Sequence, residues 1–132
     1  MLTAHSETVV AGPTMASAEA ALRQVEQAGF TVQRLMGFDS CTDACRAYLT
    51  QPDFAAWEKH EFEFSDQGKA RNTLADIAQG RYLAFLDGDD LFSENWLIEA
   101  LDILETNRRI GRTRLVVHPE LNWQFDAGSS VY

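Results

Sequence analysis

Apolar residues recur along this chain in two alternating rhythms, one short-period and one near 3.6. Thr8-Val9-Val10-Ala11 is a brief apolar run halted by Gly12-Pro13, which predicts a first strand entering a loop. From Thr14 to Ala28 the period lengthens. Ala18, Ala21, Leu22, Val25 and Ala28 recur at three- and four-residue steps, so a helix is expected, with Gly29 placed to end it. Thr31 to Gly37 predicts a second strand, Asp39 to Asp43 a polar loop, and Ala44 to Leu49 a short helix. Pro52 interrupts any continuous helix between Gln51 and Lys59.

The alternation resumes at His60 to Phe64, as in a less buried strand. Asp66 to Gln79 is helical in pattern, with Ala70, Leu74, Ile77 and Ala78 on one side and Gly80 at the stop. Tyr82-Leu83-Ala84-Phe85-Leu86 is apolar or aromatic throughout and predicts a central strand buried on both faces. Ser93 is placed to cap a helix that turns Leu97, Leu101 and Leu104 inward. Arg114 to His118 predicts a fifth strand, and the residues from Pro119 onward show no clear period.

Strands separated by helices are the mark of repeated βαβ units. The expected fold is therefore an α/β protein, a three-layer α/β/α sandwich with a mainly parallel sheet. No linker or repeat divides residues 1–132, so one domain is expected. Ligands of such sheets bind beyond the carboxyl ends of the strands. The loops after Val10, Gly37, Phe64 and Leu86 are the ones to watch.

Charge narrows the choice of ligand. Twenty acidic against eleven basic residues leave a net charge of −9, which argues against nucleic acid as a partner. No apolar run is long enough for a membrane span, and no basic-then-apolar leader opens the chain. Cys41 and Cys45, four residues apart and without further ligands at metal-site spacing, read as small buried residues in a reducing, cytoplasmic setting. A phosphate-bearing ligand would need something other than a basic patch to offset its charge. A divalent cation meets that need.

Asp87-Gly88-Asp89-Asp90 supplies the oxygens for one. Three carboxylates in four residues repel one another unless a cation sits among them, and hard oxygen ligands suit Mg²⁺ or Mn²⁺. An EF-hand starting at Asp87 fails, because Leu91, Phe92 and Ile98 stand where an oxygen ligand, Gly and Glu belong. A haloacid-dehalogenase-like phosphatase also has an Asp-x-Asp after a buried strand, but normally near the N-terminus and with Thr or Val at the place of Leu91. Dinucleotide, P-loop and serine-hydrolase signatures are missing from the sequence. His5, His60 and His118 share no ligand spacing.

The run Asp66-Gln67-Gly68-Lys69-Ala70-Arg71-Asn72, followed by Gly80-Arg81-Tyr82-Leu83-Ala84-Phe85-Leu86-Asp87-Gly88-Asp89-Asp90, resembles the family 2 glycosyltransferases of GT-A fold. Ser93-Glu94-Asn95-Trp96-Leu97 continues the likeness. Before Asp66 the match is looser. Phe38-Asp39-Ser40-Cys41-Thr42-Asp43 has Phe38 in place of the first Asp of the family's loop, and Ala11-Gly12-Pro13-Thr14 departs from the usual residues after the first strand.

The resemblance implies a nucleoside-diphosphate sugar, a UDP-sugar above all, lying across the strand ends. Its base would lie near Pro13, Asp39 and Arg71. Asp87 and Asp89 would meet the ribose and the metal, with Asp90 as a further metal ligand. It also implies inverting transfer of the sugar to an acceptor hydroxyl, with the acceptor unspecified. Two alternatives stay open: a non-catalytic nucleotide-sugar- or metal-binding module, and the phosphatase. The family's general base lies well past the acidic motif, and 42 residues follow Asp90 here. The chain is accordingly read as a donor-binding half with the acceptor side missing. An exposed apolar patch around Leu121, Trp123 and Phe125 is expected to favour a homo-oligomer.

Overall fold

The computed structural model describes residues 1–6 and 10–120. Four parallel strands form one sheet in the order β3-β2-β1-β4: β1 (Leu2–Ala4), β2 (Leu35–Asp39), β3 (Glu58–Phe62) and β4 (Leu86–Asp87). Helices α1 (Ala11–Gln27), α2 (Asp43–Leu49) and α3 (Gln67–Ile77) connect them, with a 3₁₀ turn at Pro52–Phe54 before β3. The expected α/β architecture with a parallel sheet is present.

Register assigns the two faces of the sheet. Leu2 pairs with both Met36 and Leu86, and Ala4 with Phe38. These residues are buried in one cluster with Ala11, Met15 and Ala18 of α1 and with Cys45 and Leu49 of α2. Phe38 is 1% exposed, and burial of such a ring stabilises by roughly 2–3 kcal/mol. Side chains alternate across a strand, so Thr3, Gly37, His60 and Asp87 fall on the opposite face. There α3 packs, burying Ala70 and Leu74. A Cβ on Gly37 would stand 3.0 Å from the Phe62 ring and 3.1 Å from a Leu74 methyl, so this close approach requires glycine.

Side chains cap two of the helices. Thr42 accepts from the Cys45 amide at the start of α2, and Asp66 from the Lys69 amide at the start of α3. Gly29, at φ 88°, follows the end of α1. Just beyond, the Arg34 guanidinium is held by Glu19 and Glu26 of α1, and Glu19 also accepts from the Trp57 indole at 2.7 Å.

The strand positions differ from the pattern-based expectation. Ala11 is the first residue of α1 rather than the end of a strand, with Val10 at the N-cap in helical conformation. Thr8 and Val9 lie outside the described residues. Pro13 sits in the helix's first turn, where its missing N–H removes no hydrogen bond, so Gly12-Pro13 does not halt a strand. The first strand is the three-residue Leu2–Ala4, too short to show a period. β2 runs to Asp39 rather than stopping at Gly37, and β3 begins at Glu58 rather than His60.

The central strand expected at Tyr82–Leu86 is corrected more sharply. Only Leu86–Asp87 is strand, and among the described residues it lies at the sheet edge, with Leu83 44% and Phe85 45% exposed. The ladder with β1 covers two positions, Leu2–Leu86 and Thr3–Asp87, so Tyr82–Phe85 lie ahead of the paired stretch. The helix after the acidic turn, α4 (Trp96–Arg109), starts three residues past Ser93. Ser93 therefore does not cap it. Instead its carbonyl accepts from the Trp96 amide.

The chain forms two compact units, residues 1–98 and 99–132. Within the second, Arg108 pairs with Glu105, and Gly111, at φ 81°, follows the end of α4. Arg114–His118 is not a strand, and Val116 is 90% exposed: no neighbouring backbone pairs with it among the described residues. Leu121, Trp123 and Phe125 lie outside them. No described helix is long and apolar enough to cross a membrane.

Candidate functional site

At their carboxyl ends the strands carry polar residues on the face covered by α3. Asp39 ends β2 and is 7% exposed. One of its carboxylate oxygens accepts from the Phe64 amide at 2.7 Å and the Ser65 amide at 3.0 Å, and the other from the Asp66 amide at 2.8 Å. The carboxylate thus ties β2 to the connection between β3 and α3. Beside it, Ser40 and Ser65 both have positive φ, 52° and 49°, and their hydroxyls meet at 2.8 Å. The Ser40 carbonyl lies 2.9 Å from His5 Nδ1, which joins β1 to the same knot. Two non-glycine residues in the left-handed region mark a backbone shaped by its surroundings.

The other end of the site is acidic. Asp87, at the end of β4, pairs through Oδ1 with the Arg71 guanidinium of α3, and the Thr3 hydroxyl donates to the same oxygen at 3.4 Å. Asp87 and Arg71 are both about a third exposed or less. Arg71 Nε is enclosed without a partner. Asp89 and Asp90 are exposed. Partial desolvation of the carboxyl raises Asp90 above its usual range, and the charges of Asp87 and Asp89 add to the rise while Arg71 opposes it. Negative charge in this turn is therefore only partly balanced by Arg71.

Helix α1 anchors the turn from behind. Thr14, fully buried, donates to the Gly88 carbonyl at 3.1 Å, and the Ser17 hydroxyl accepts from the Phe92 amide at 3.1 Å. Gln24 adds a bond to Glu94 at 3.0 Å.

Of the residues singled out by sequence, the structure brings Arg71 and Asp87 into contact and places Asp89 and Asp90 beside them. Asp39 lies on the same face at the end of β2 and is engaged by backbone amides. Pro13 is exposed in the first turn of α1, the helix packed on the opposite face. Among the described residues, no three His, Cys, Asp or Glu side chains converge in a metal-binding arrangement. Thr3, Thr14 and Ser17 were not foreseen. A threonine and a serine three apart on an otherwise alanine-rich helix face were the available signal for the last two.

A parallel sheet with an acidic turn and an adjacent arginine at its carboxyl edge defines a Rossmann-like domain of the GT-A kind. Comparison with known families matches glycosyl transferase family 2 over residues 26–125. The chain belongs to that family. No curated protein and no solved structure matches it.

Proposed function

We propose that the strand ends bind a nucleoside-diphosphate sugar, a UDP-sugar in the first instance, for inverting transfer to an acceptor hydroxyl with help from a divalent metal. The observation that carries this is the Arg71–Asp87 pair set beside two exposed carboxylates, Asp89 and Asp90, at the carboxyl end of β4. Family membership supports the donor class.

The donor set suits Mg²⁺ or Mn²⁺, because all its ligands are hard oxygens. Asp89 and Asp90 would hold the ion together with the phosphates of the donor, since the described carboxylates do not converge as a set of three, and Asp87 stays paired with Arg71. When bound, the metal stabilises the charge of the departing diphosphate as a Lewis acid. Arg71 supplies a second positive group for the diphosphate. Thr3 orients Asp87, while Thr14 and Ser17 fix the turn that carries Asp89 and Asp90. Asp39 acts through the loop it holds, shaping the end of the site where the base would lie.

Calorimetry with UDP and GDP, with Mn²⁺ and in EDTA, tests the proposal. UDP binding is expected only with Mn²⁺, and Asp89→Asn should abolish it while the far-ultraviolet circular dichroism stays unchanged. Equal affinity in EDTA would overturn the metal's role. Failure of both nucleotides to bind under any condition would overturn the donor reading.

A further inference from the structure

Four of the chain's eleven basic residues fall within seven positions: Arg108, Arg109, Arg112 and Arg114. No acidic residue interrupts 106–119, so this stretch carries +4, while the rest of a chain of net charge −9 carries −13. All four side chains are exposed. Arg108 pairs with Glu105, but Arg109, Arg112 and Arg114 form no ion pair among the described residues.

Apolar side chains project between them. Ile110 is 68% exposed, Val116 90%, and Leu115 is exposed as well. The turn that carries them is fixed: the Gly111 amide donates to the Arg108 carbonyl and the Arg112 amide to the Asn107 carbonyl, both at 3.0 Å. Cations in the last turn of a helix are favoured by its dipole, which accounts for Arg108 and Arg109. It does not account for Arg112 and Arg114, which lie past the end of α4, or for aliphatic side chains held in water.

We infer that residues 108–116 dock on an anionic lipid surface, with the arginines on headgroup phosphates and carboxylates and Ile110 and Val116 in the interfacial layer. None of the residues proposed to hold the donor takes part. Val116 projects rather than lining a groove, which suits a deformable partner that closes around it. An acidic peptide would meet the arginines but leave these aliphatic groups in water. Nucleic-acid strands stack on aromatic side chains, and residues 106–119 contain no Phe, Tyr or Trp. The chain's overall negative charge does not prevent the contact, because charges more than about 8 Å from the bilayer are largely screened at physiological salt.

Sedimentation of the whole chain with vesicles tests the inference. Binding is expected to an equal mixture of phosphatidylserine and phosphatidylcholine, not to phosphatidylcholine alone, and should weaken as salt is raised. Each arginine near a charged bilayer raises partitioning roughly five-fold, so Arg112→Gln with Arg114→Gln should lose about 25-fold. Ile110→Ser with Val116→Ser should lose roughly 10-fold. Thermal unfolding checks that both variants keep the fold.

Native protein that stays in the supernatant with both vesicles would overturn the inference. Equal binding to phosphatidylcholine alone, or native affinity in the arginine variant, would do the same. Undiminished binding of the Ile110, Val116 variant would replace lipid insertion with a purely ionic contact. Tighter binding to soluble polyglutamate than to the vesicles would point to an acidic protein as the partner instead.

Discussion

Replacing Asp39 with alanine removes the carboxylate that accepts the amides of Phe64, Ser65 and Asp66 at 2.7, 3.0 and 2.8 Å. A hydrogen bond contributes about 1 kcal/mol net, and bonds to a charged acceptor contribute more. Water can reach the vacated amides, because residues 63–69 are exposed, and this offsets the charged-acceptor gain. Three bonds at the net value give about 3 kcal/mol, a sizeable part of the 5–15 kcal/mol that holds an ordinary domain together. Asp39→Asn should cost less, about 1–2 kcal/mol. Its carbonyl can still serve Phe64 and Ser65, but its NH₂ then confronts the Asp66 amide, donor against donor. Urea denaturation followed by circular dichroism and by fluorescence of the buried Trp57 would measure both losses. Asp76→Ala, on the exposed side of α3, serves as a control expected within about 0.5 kcal/mol of native. An Asp39→Ala protein as stable as that control would refute the claim that the carboxylate holds β2 to the α3 connection.

Gly37→Ala should destabilise by roughly 1–3 kcal/mol, since the new methyl meets Phe62 at 3.0 Å and Leu74 at 3.1 Å between sheet and helix. A thermal midpoint equal to native would show that those side chains yield freely. Glu26 accepts a hydrogen bond from Arg34 that holds its carboxyl below the usual range, with the guanidinium charge acting in the same direction. A folded pKa lowered in this way contributes stability above the ordinary carboxylate pKa of about 4, and the contribution disappears as pH falls through the folded value. Midpoints of native protein and Glu26→Gln should therefore differ at pH 7 and converge in acid, whereas a constant offset would exclude the pair as the cause.

Helices were legible because their evidence is local. Ala18, Ala21 and Val25 share one side of α1, and Thr42 and Asp66 are cap residues in the right places. Strand positions were less so. Leu2-Thr3-Ala4 has no period to read, and whether Tyr82–Leu86 lies at the centre or edge depends on which strands pair beside it, not on its own composition. The site divides the same way. Asp87, Asp89 and Asp90 announce themselves as a cluster, and Arg71 came with the family likeness. Phe38, which occupies a family acidic position, points into the core beside Ala4, and the alternation of the strand turns Asp39 to the other face. The supports at Thr3, Thr14 and Ser17 were hidden, because each is an ordinary residue whose importance arises only from register and helix placement. Nor does sequence show that Asp39 is occupied by three amides, since its donors come from a loop 25 to 27 residues away.

Those separations also bear on how the chain folds. The Asp39 knot joins residues 25 apart at its nearest contact, while the Thr3–Asp87 bond joins residues 84 apart. Loop-closure entropy grows with the logarithm of length, so the second closure costs about 1 kcal/mol more than the first. Its ladder has two residue pairs, Leu2 to Leu86 and Thr3 to Asp87, against five paired positions between β2 and β3. Nascent protein therefore closes the Asp39 end first and gathers the acidic end last. It also means that β4 is the strand that frays most readily, so hydrogen exchange at Leu86 runs ahead of exchange at Met36 and Phe38.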